Sequence, residues 1–285
     1  MAERRVVLAY AGDLVSSIAL AWLLEHGEKD VATVTIDLGQ GRDLNDVRDR
    51  ALGIGAARAH VIDARDAFAK EAVAPAWRLP LDQPRTAALG RPFIAKHLLE
   101  VAQIEGAAAV AHGSAFPATD PVGLEAAIRH SGAQLDILAP ARDWSMDIAG
   151  MVDFGRARGI PVPSAGEDPV EVRNLWGRVV HGKYVLTRGV EGYPHEPAII
   201  DLTFERGVPV ALNGVTMPLV DVITSVDTLA GAHGIGRMEY PSHDVREELP
   251  ASFVIHHALA TLGADAGTIR ATCLGGDVTF SAATR

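Results

Sequence analysis

The pattern of apolar positions begins with a short run, Val6-Val7-Leu8-Ala9, broken at Gly12-Asp13. It resumes at helical spacing through Leu14, Ile18, Trp22 and Leu23, with Gly27 placed to end the helix. A brief apolar run, a tight turn and a 3.6-residue period predict a buried strand feeding a helix. The same grammar recurs. Residues 31–36 read as a second strand, and Asp43 is placed to cap a helix carrying Val47, Ala51 and Leu52 before Gly53. Residues 59–62 read as a third strand, and Asp63 is placed to cap a helix carrying Phe68 and Val73. Residues 75–90 lack a period and read as a loop, after which Pro92 suits the first turn of a helix running to about Glu105. Residues 107–112 and 135–138 supply a fourth and a fifth strand, with helices expected over 122–129 and 145–158. Strands alternating with helices predict an α/β fold: a doubly wound, parallel, five-stranded sheet over residues 1–165, with ligands gathering at the carboxyl ends of its strands.

Past Pro161 and Pro163 the pattern changes. Residues 199–205 and 208–212 flank Arg206-Gly207 as a hairpin, Asn213-Gly214 marks a second turn, and helices are expected over 218–230 and 250–262. This predicts a second, smaller α+β domain over residues 166–285.

Composition narrows the function classes. With 48% hydrophobic and 22% charged residues among 285, the chain reads as globular. A formal net charge of −10 argues against nucleic acid and anionic membranes as partners, since both need a basic field. Cys273 is the only cysteine, so no intrachain disulfide forms, and no apolar run approaches the length of a membrane span; a cytoplasmic protein is expected. The histidines at 112, 181, 195, 233 and 243, and the pair His256-His257, show no metal-ligand spacing, so no metal site is expected.

The candidate chemistry lies in the first strand–helix loop, Ala9, Tyr10, Ala11, Gly12, Asp13, then Ser16 and Ser17. The first turn of a helix offers unpaired N–H groups and the positive end of the helix dipole, glycine lets the backbone approach an anion, and two serines add hydroxyls. Asp13 opposes this reading. A carboxylate about 4 Å from a phosphate charge costs on the order of 4 kcal/mol at an effective dielectric near 20. A strand–helix junction with nothing bound is the competing interpretation.

From residue 9 to residue 17 the chain resembles the pyrophosphate loop of the argininosuccinate synthetase family. The resemblance continues through Thr35 to Gln40, Arg91-Pro92-Phe93-Ile94-Ala95-Lys96, Ala111-His112-Gly113, Ala139-Pro140-Ala141-Arg142, Gly159-Ile160-Pro161, Asn174-Leu175-Trp176-Gly177-Arg178 and His233-Gly234-Ile235-Gly236-Arg237, in the family's order. It implies an adenine-nucleotide alpha-hydrolase-like fold, with ATP and Mg2+ held near the loop residues, Ile36, His112 and Gly113. It further implies a small-molecule substrate near Ala115, Thr119 and Asp120. Family members adenylate citrulline with ATP and let the amine of aspartate displace AMP. At the family's substrate positions this chain carries Gln83, Ala87, Ala88, Ala115, Gly123, Val170 and Val179, while a Glu and a Tyr fall near Ser242 and Glu247. Hydroxyl and charged groups have become alanine, valine and glycine, so citrulline and aspartate are not the expected substrates. Without the extension through which the family builds tetramers, a monomer or homodimer is expected. Two functions stay open: an ATP-dependent carbon–nitrogen ligase adenylating another substrate, or a protein that has lost the ATP reaction and acts by binding or by ATP-independent chemistry.

Overall fold

Val6, Val7 and Leu8 are fully buried in strand β1 (Arg5–Ala9), and everything in the first unit is laid against them. A computed structural model describes residues 4–114, 121–163 and 172–283, with backbone only for Pro121 and Val122. The chain forms two units, residues 1–64 with 90–171 and residues 65–89 with 172–285. The second unit therefore takes in residues 65–89, a stretch that sequence alone assigns to the first.

In the first unit β1 pairs in parallel with β2 (Asp30–Asp37) on one side and β4 (Ala109–His112) on the other, while β3 (Arg58–Asp63) and β5 (Asp136–Leu138) extend the sheet outward. The order β3-β2-β1-β4-β5, parallel throughout, is the expected doubly wound sheet. The chain winds to one side through β3, then returns to the other side of β1 at β4. That reversal places a crevice at the carboxyl ends of β1 and β4, where open α/β sheets bind ligands. Registry sets Ala9 level with both Val34 and His112. At the opposite end of the strands, Glu105 gathers Arg5, Arg58 and His60 at 3.2, 3.1 and 2.7 Å.

Helix α1 (Leu14–Glu25) packs Leu20 and Leu23 onto the sheet and turns Ile18 and Ala21 toward the helix Ile148–Ala157. Helix α2 (Leu44–Ile54) is capped by Asp43 as expected, but it passes through Gly53. It stops at Gly55, whose φ of 124° only glycine adopts readily and whose N–H reaches the carbonyls of Ala51 and Leu52. A second difference concerns the helix Thr86–Glu105. It begins before Pro92, which lies inside it, rather than starting there.

The second unit holds two antiparallel sheets. In the larger, β8 (Ala198–Glu205) and β9 (Val208–Leu212) form the expected hairpin across Arg206-Gly207, both residues at positive φ, and β10 (Val215–Thr216) follows Asn213-Gly214. Strands β13 (Gly267–Leu274) and β14 (Asp277–Ala282) complete the order β10-β9-β8-β13-β14. Ile200, Leu202 and Phe204 alternate inward with Ile269, Ala271 and Cys273. The helices Leu219–Ala232 and Pro250–Leu262 pack on each other, the first also against β8 and β9 and the second against β13 and β14. The smaller sheet, order β11-β12-β7-β6, joins Arg237–Tyr240, Val245–Glu248, Gly177–Val179 and Arg173–Asn174. One of its interior carboxylates, Glu248, is fully buried and accepts hydrogen bonds from the N–H groups of Val185, Leu186 and Thr187, from the Thr187 hydroxyl and from Arg178.

Candidate functional site

The loop between β1 and α1 is closed by its own side chains. Asp13 is the N-cap of α1, with φ −85° and ψ 177°, and its Oδ1 accepts from the Ser16 N–H at 2.8 Å. This is the bond an N-cap makes, and it places a carboxylate against the positive end of the helix, where an anion would otherwise sit. Ser16 turns inward as well: its hydroxyl accepts from the Ala11 N–H at 3.3 Å and donates to the Asp13 carbonyl at 3.4 Å. The Ser17 hydroxyl, fully buried, bonds the Tyr10 hydroxyl at 3.0 Å. Burial raises the Tyr10 phenol above its ordinary value, the Ser17 bond opposing it. The loop carbonyls are held from α2 and the turn before it: Arg50 donates to the Gly12 carbonyl at 2.7 Å and Arg42 to that of Ala11 at 3.2 Å. Gly12 has φ +70°, and a Cβ there would stand 2.9 Å from a Val47 methyl, so both conformation and space require glycine.

At the end of β4, His112 is almost wholly buried and its Nε2 lies 3.2 Å from Glu125, while its Nδ1 accepts from the Ser114 N–H at 3.3 Å. An acceptor Nδ1 leaves Nε2 carrying the proton toward Glu125, the neutral tautomer. Burial lowers the His112 pKa, outweighing the opposite pull of Glu125. Glu125 in turn pairs with Arg129 and Arg142 at 2.6 and 2.7 Å, so its charge is answered without the imidazole.

Between these parts lies a cavity of about 160 Å³ at the switch point of the sheet. Ala9, Tyr10, Ala11, Asp13, Ser16, Ile36, His112 and Gly113, all expected from sequence to surround a ligand, line it together. Gly12 and Ser17 do not: the first faces Val47 and the second is committed to Tyr10. Val15, Val34, Gln40, Ile94, Ser114 and Leu124 complete the walls. Val34 was readable by alternation, since it sits two residues before Ile36 on the same face of β2. Ile94 and Leu124 come from helices whose approach only the fold reveals. Gln40 is turned inward on its own segment, its amide accepting from the Leu38 N–H at 2.6 Å and donating to the Ile36 carbonyl at 2.7 Å. Ala115, Thr119 and Asp120, expected to face a substrate, and Val170 lie outside the described residues. Of the other substrate positions, Val179 and Glu247 are buried in the second unit, and Gly123 lies in the helix Pro121–His130. Among the described residues no group of three or more His, Cys, Asp or Glu stands where it could hold a metal, and no helix is long and apolar enough to cross a membrane.

A parallel sheet with a strand–helix loop opening on its switch point is the architecture of the HUP domains. The family description "Arginosuccinate synthase N-terminal HUP domain" matches residues 5–161, and "Arginosuccinate synthase C-terminal domain" matches residues 164–245. The chain belongs to the argininosuccinate synthase family. It is 39% identical over 258 residues to the argininosuccinate synthase of Geobacillus kaustophilus, covering 84% of this chain and 63% of that protein. It is 40% identical over 256 residues to that of Bacillus velezensis, covering 84% and 63%. With that of Dictyoglomus turgidum it shares 36% over 288 residues, covering 92% and 72%. The chain thus spans about 63% of the length of the first two relatives.

Proposed function

We propose that this chain carries the family's fold without its nucleotide chemistry, and acts by binding a small molecule at the switch point. The observation that supports this is the Asp13 carboxylate on the first turn of α1, bonded to the Ser16 N–H at 2.8 Å. The family uses ATP with Mg2+, and the residues here do not fit it. A triphosphate would meet a fixed negative charge at the helix start, and no lysine or arginine stands among the described residues lining the cavity. At about 160 Å³ the cavity also falls below the 300–1,000 Å³ usual for cofactor sites. Ala87, Ala88 and Gly123, at positions where the resemblance implies citrulline contacts, offer no hydroxyl or charge.

A second reading, an ATP-dependent ligase adenylating a substrate other than citrulline or aspartate, draws support from the position of the cavity and from the left-handed Gly12, which shapes a loop of phosphate-binding type. Calorimetry and thermal unfolding with ATP and Mg2+ separate the two. Ligand at a hundred times Kd adds about 2.7 kcal/mol of stability. The expected result is no heat and no shift at millimolar ATP, with no argininosuccinate detected by mass spectrometry when citrulline and aspartate are added. Saturable ATP binding would overturn the proposal in favour of the ligase.

A further inference from the structure

The charge on the cavity wall points to what the cavity accepts. Among the described residues lining it, Asp13 is the one that carries a formal charge, since His112 is neutral and none of them is basic. One Asp13 oxygen is taken by the Ser16 N–H, and the other has no bond to any described group of the protein. Of the other polar walls among the described residues, the Gln40 amide is spent on Leu38 and Ile36, Ser16 on Ala11 and Asp13, the Tyr10 hydroxyl on Ser17 and His112 Nδ1 on Ser114, which leaves the neutral Ser114 hydroxyl. Arg42 and Arg50, whose guanidiniums hold the loop carbonyls, are not part of the wall. What remains is a compact space bounded by Val15, Val34, Ile36, Ile94 and Leu124, with the Asp13 carboxylate on its wall. An apolar cavity of about 150 Å³ accommodates a benzene-sized body.

We infer that the cavity is a binding site for a compact primary amine, its apolar body against Ile36, Ile94 and Leu124 and its ammonium donating to Asp13. The inference rests on the reading that the loop does not hold ATP. The sign of the charge decides between ligands of one shape: an ammonium meets an opposite charge at Asp13 and a carboxylate meets a like one, whereas the apolar contacts are the same for both. Asp13 thereby serves two ends, one oxygen closing the helix and the other selecting the ligand.

Benzylamine and benzoate are the matched probes, titrated calorimetrically into the full chain and into Asp13→Asn, with ATP and Mg2+ run in parallel. Asparagine caps a helix as well as aspartate does, so the variant keeps the loop and loses the charge. The expected result is saturable binding of benzylamine, weakened tenfold or more in the variant, and none of benzoate. Absent benzylamine binding, or binding that Asp13→Asn leaves unchanged, overturns the inference; without ATP binding, either result leaves the proposed loss of ATP chemistry standing. Saturable ATP binding instead removes the reading beneath it, whatever benzylamine does.

Discussion

The two units close their helix starts by different means. In the first unit the carboxylate is the residue immediately before the helix: Asp13 for α1, Asp43 for α2 and Asp147 for Ile148–Ala157, each with a backbone N–H at 2.8 Å. In the second unit it arrives from far along the chain. Glu247 of β12 accepts from the N–H groups of Arg85 and Thr86 at the start of Thr86–Glu105, and Asp227 accepts from Ala251 at 2.7 Å at the start of Pro250–Leu262. The bonds have similar lengths, but Glu247 sits in the interior, while Asp227 is half-buried by surface exposure with its carboxyl set among desolvating neighbours. Burial raises the Glu247 pKa against its backbone hydrogen bonds, and burial pushes Asp227 up to about 7. A cap drawn from tertiary structure fixes two distant segments together and carries a desolvation cost that a local cap avoids.

The contrast is sharpest at Glu248, the most densely bonded carboxylate of the second unit. Glu248→Ala removes the carboxylate partner of the buried Arg178 guanidinium and leaves three N–H groups without this acceptor, and should lower stability by about 3–5 kcal/mol. Urea denaturation measures it. A loss below about 1 kcal/mol would mean that water replaces the carboxylate readily, and the distinction between buried and local carboxylates would fail.

Asp227 supplies a smaller effect with a defined pH dependence. An acid whose pKa is raised on folding holds its proton more tightly in the folded state, so stability falls with rising pH between about 4, the unfolded value, and about 7. Asp227→Asn keeps an acceptor for Ala251 and removes that slope. Relative to the parent, the variant should gain a further 2–3 kcal/mol, roughly, between pH 5 and pH 8, as read from denaturation at the two pH values. A gap that does not change with pH would show that Asp227 is ionised throughout. Smallest is the local cap itself. Asp13→Ala should cost about 1 kcal/mol and Asp13→Asn close to nothing in thermal unfolding, and equal losses would assign the cap a charge effect rather than a hydrogen bond.

The same contrast explains what could be read before the fold was known. The parallel sheet was legible because its strands are continuous apolar runs and its helices carry their own caps, as Asp13 and Asp43 illustrate. The start of Thr86–Glu105 is not legible, because its cap is the distant Glu247, while Pro92, the local start signal, lies inside the helix. Strands of two to four residues, such as Arg173–Asn174 and Gly177–Val179, are too short for a period-2 pattern to show. The β13–β14 hairpin did leave a signal: Gly275-Gly276, both at positive φ, follows an alternation from Ile269 to Cys273. At the candidate site, sequence located the loop and named Asp13 as its oddity. Which way that carboxylate turns is set by its hydrogen bond to the Ser16 N–H, which no spacing in the sequence specifies.

The order in which the chain is made gives the capping difference a consequence in time. Asp13 and Ser16 emerge from the ribosome together, so α1 has its N-terminal hydrogen bond as soon as its first turn exists, with nothing further along the chain required. The segment 65–89 emerges early too, yet the rest of its unit, residues 172–285, follows only after the whole parallel sheet has been synthesised. Until Glu247 is made, the N–H groups of Arg85 and Thr86 are served by water alone, and the helix they begin forms its first turn without a cap.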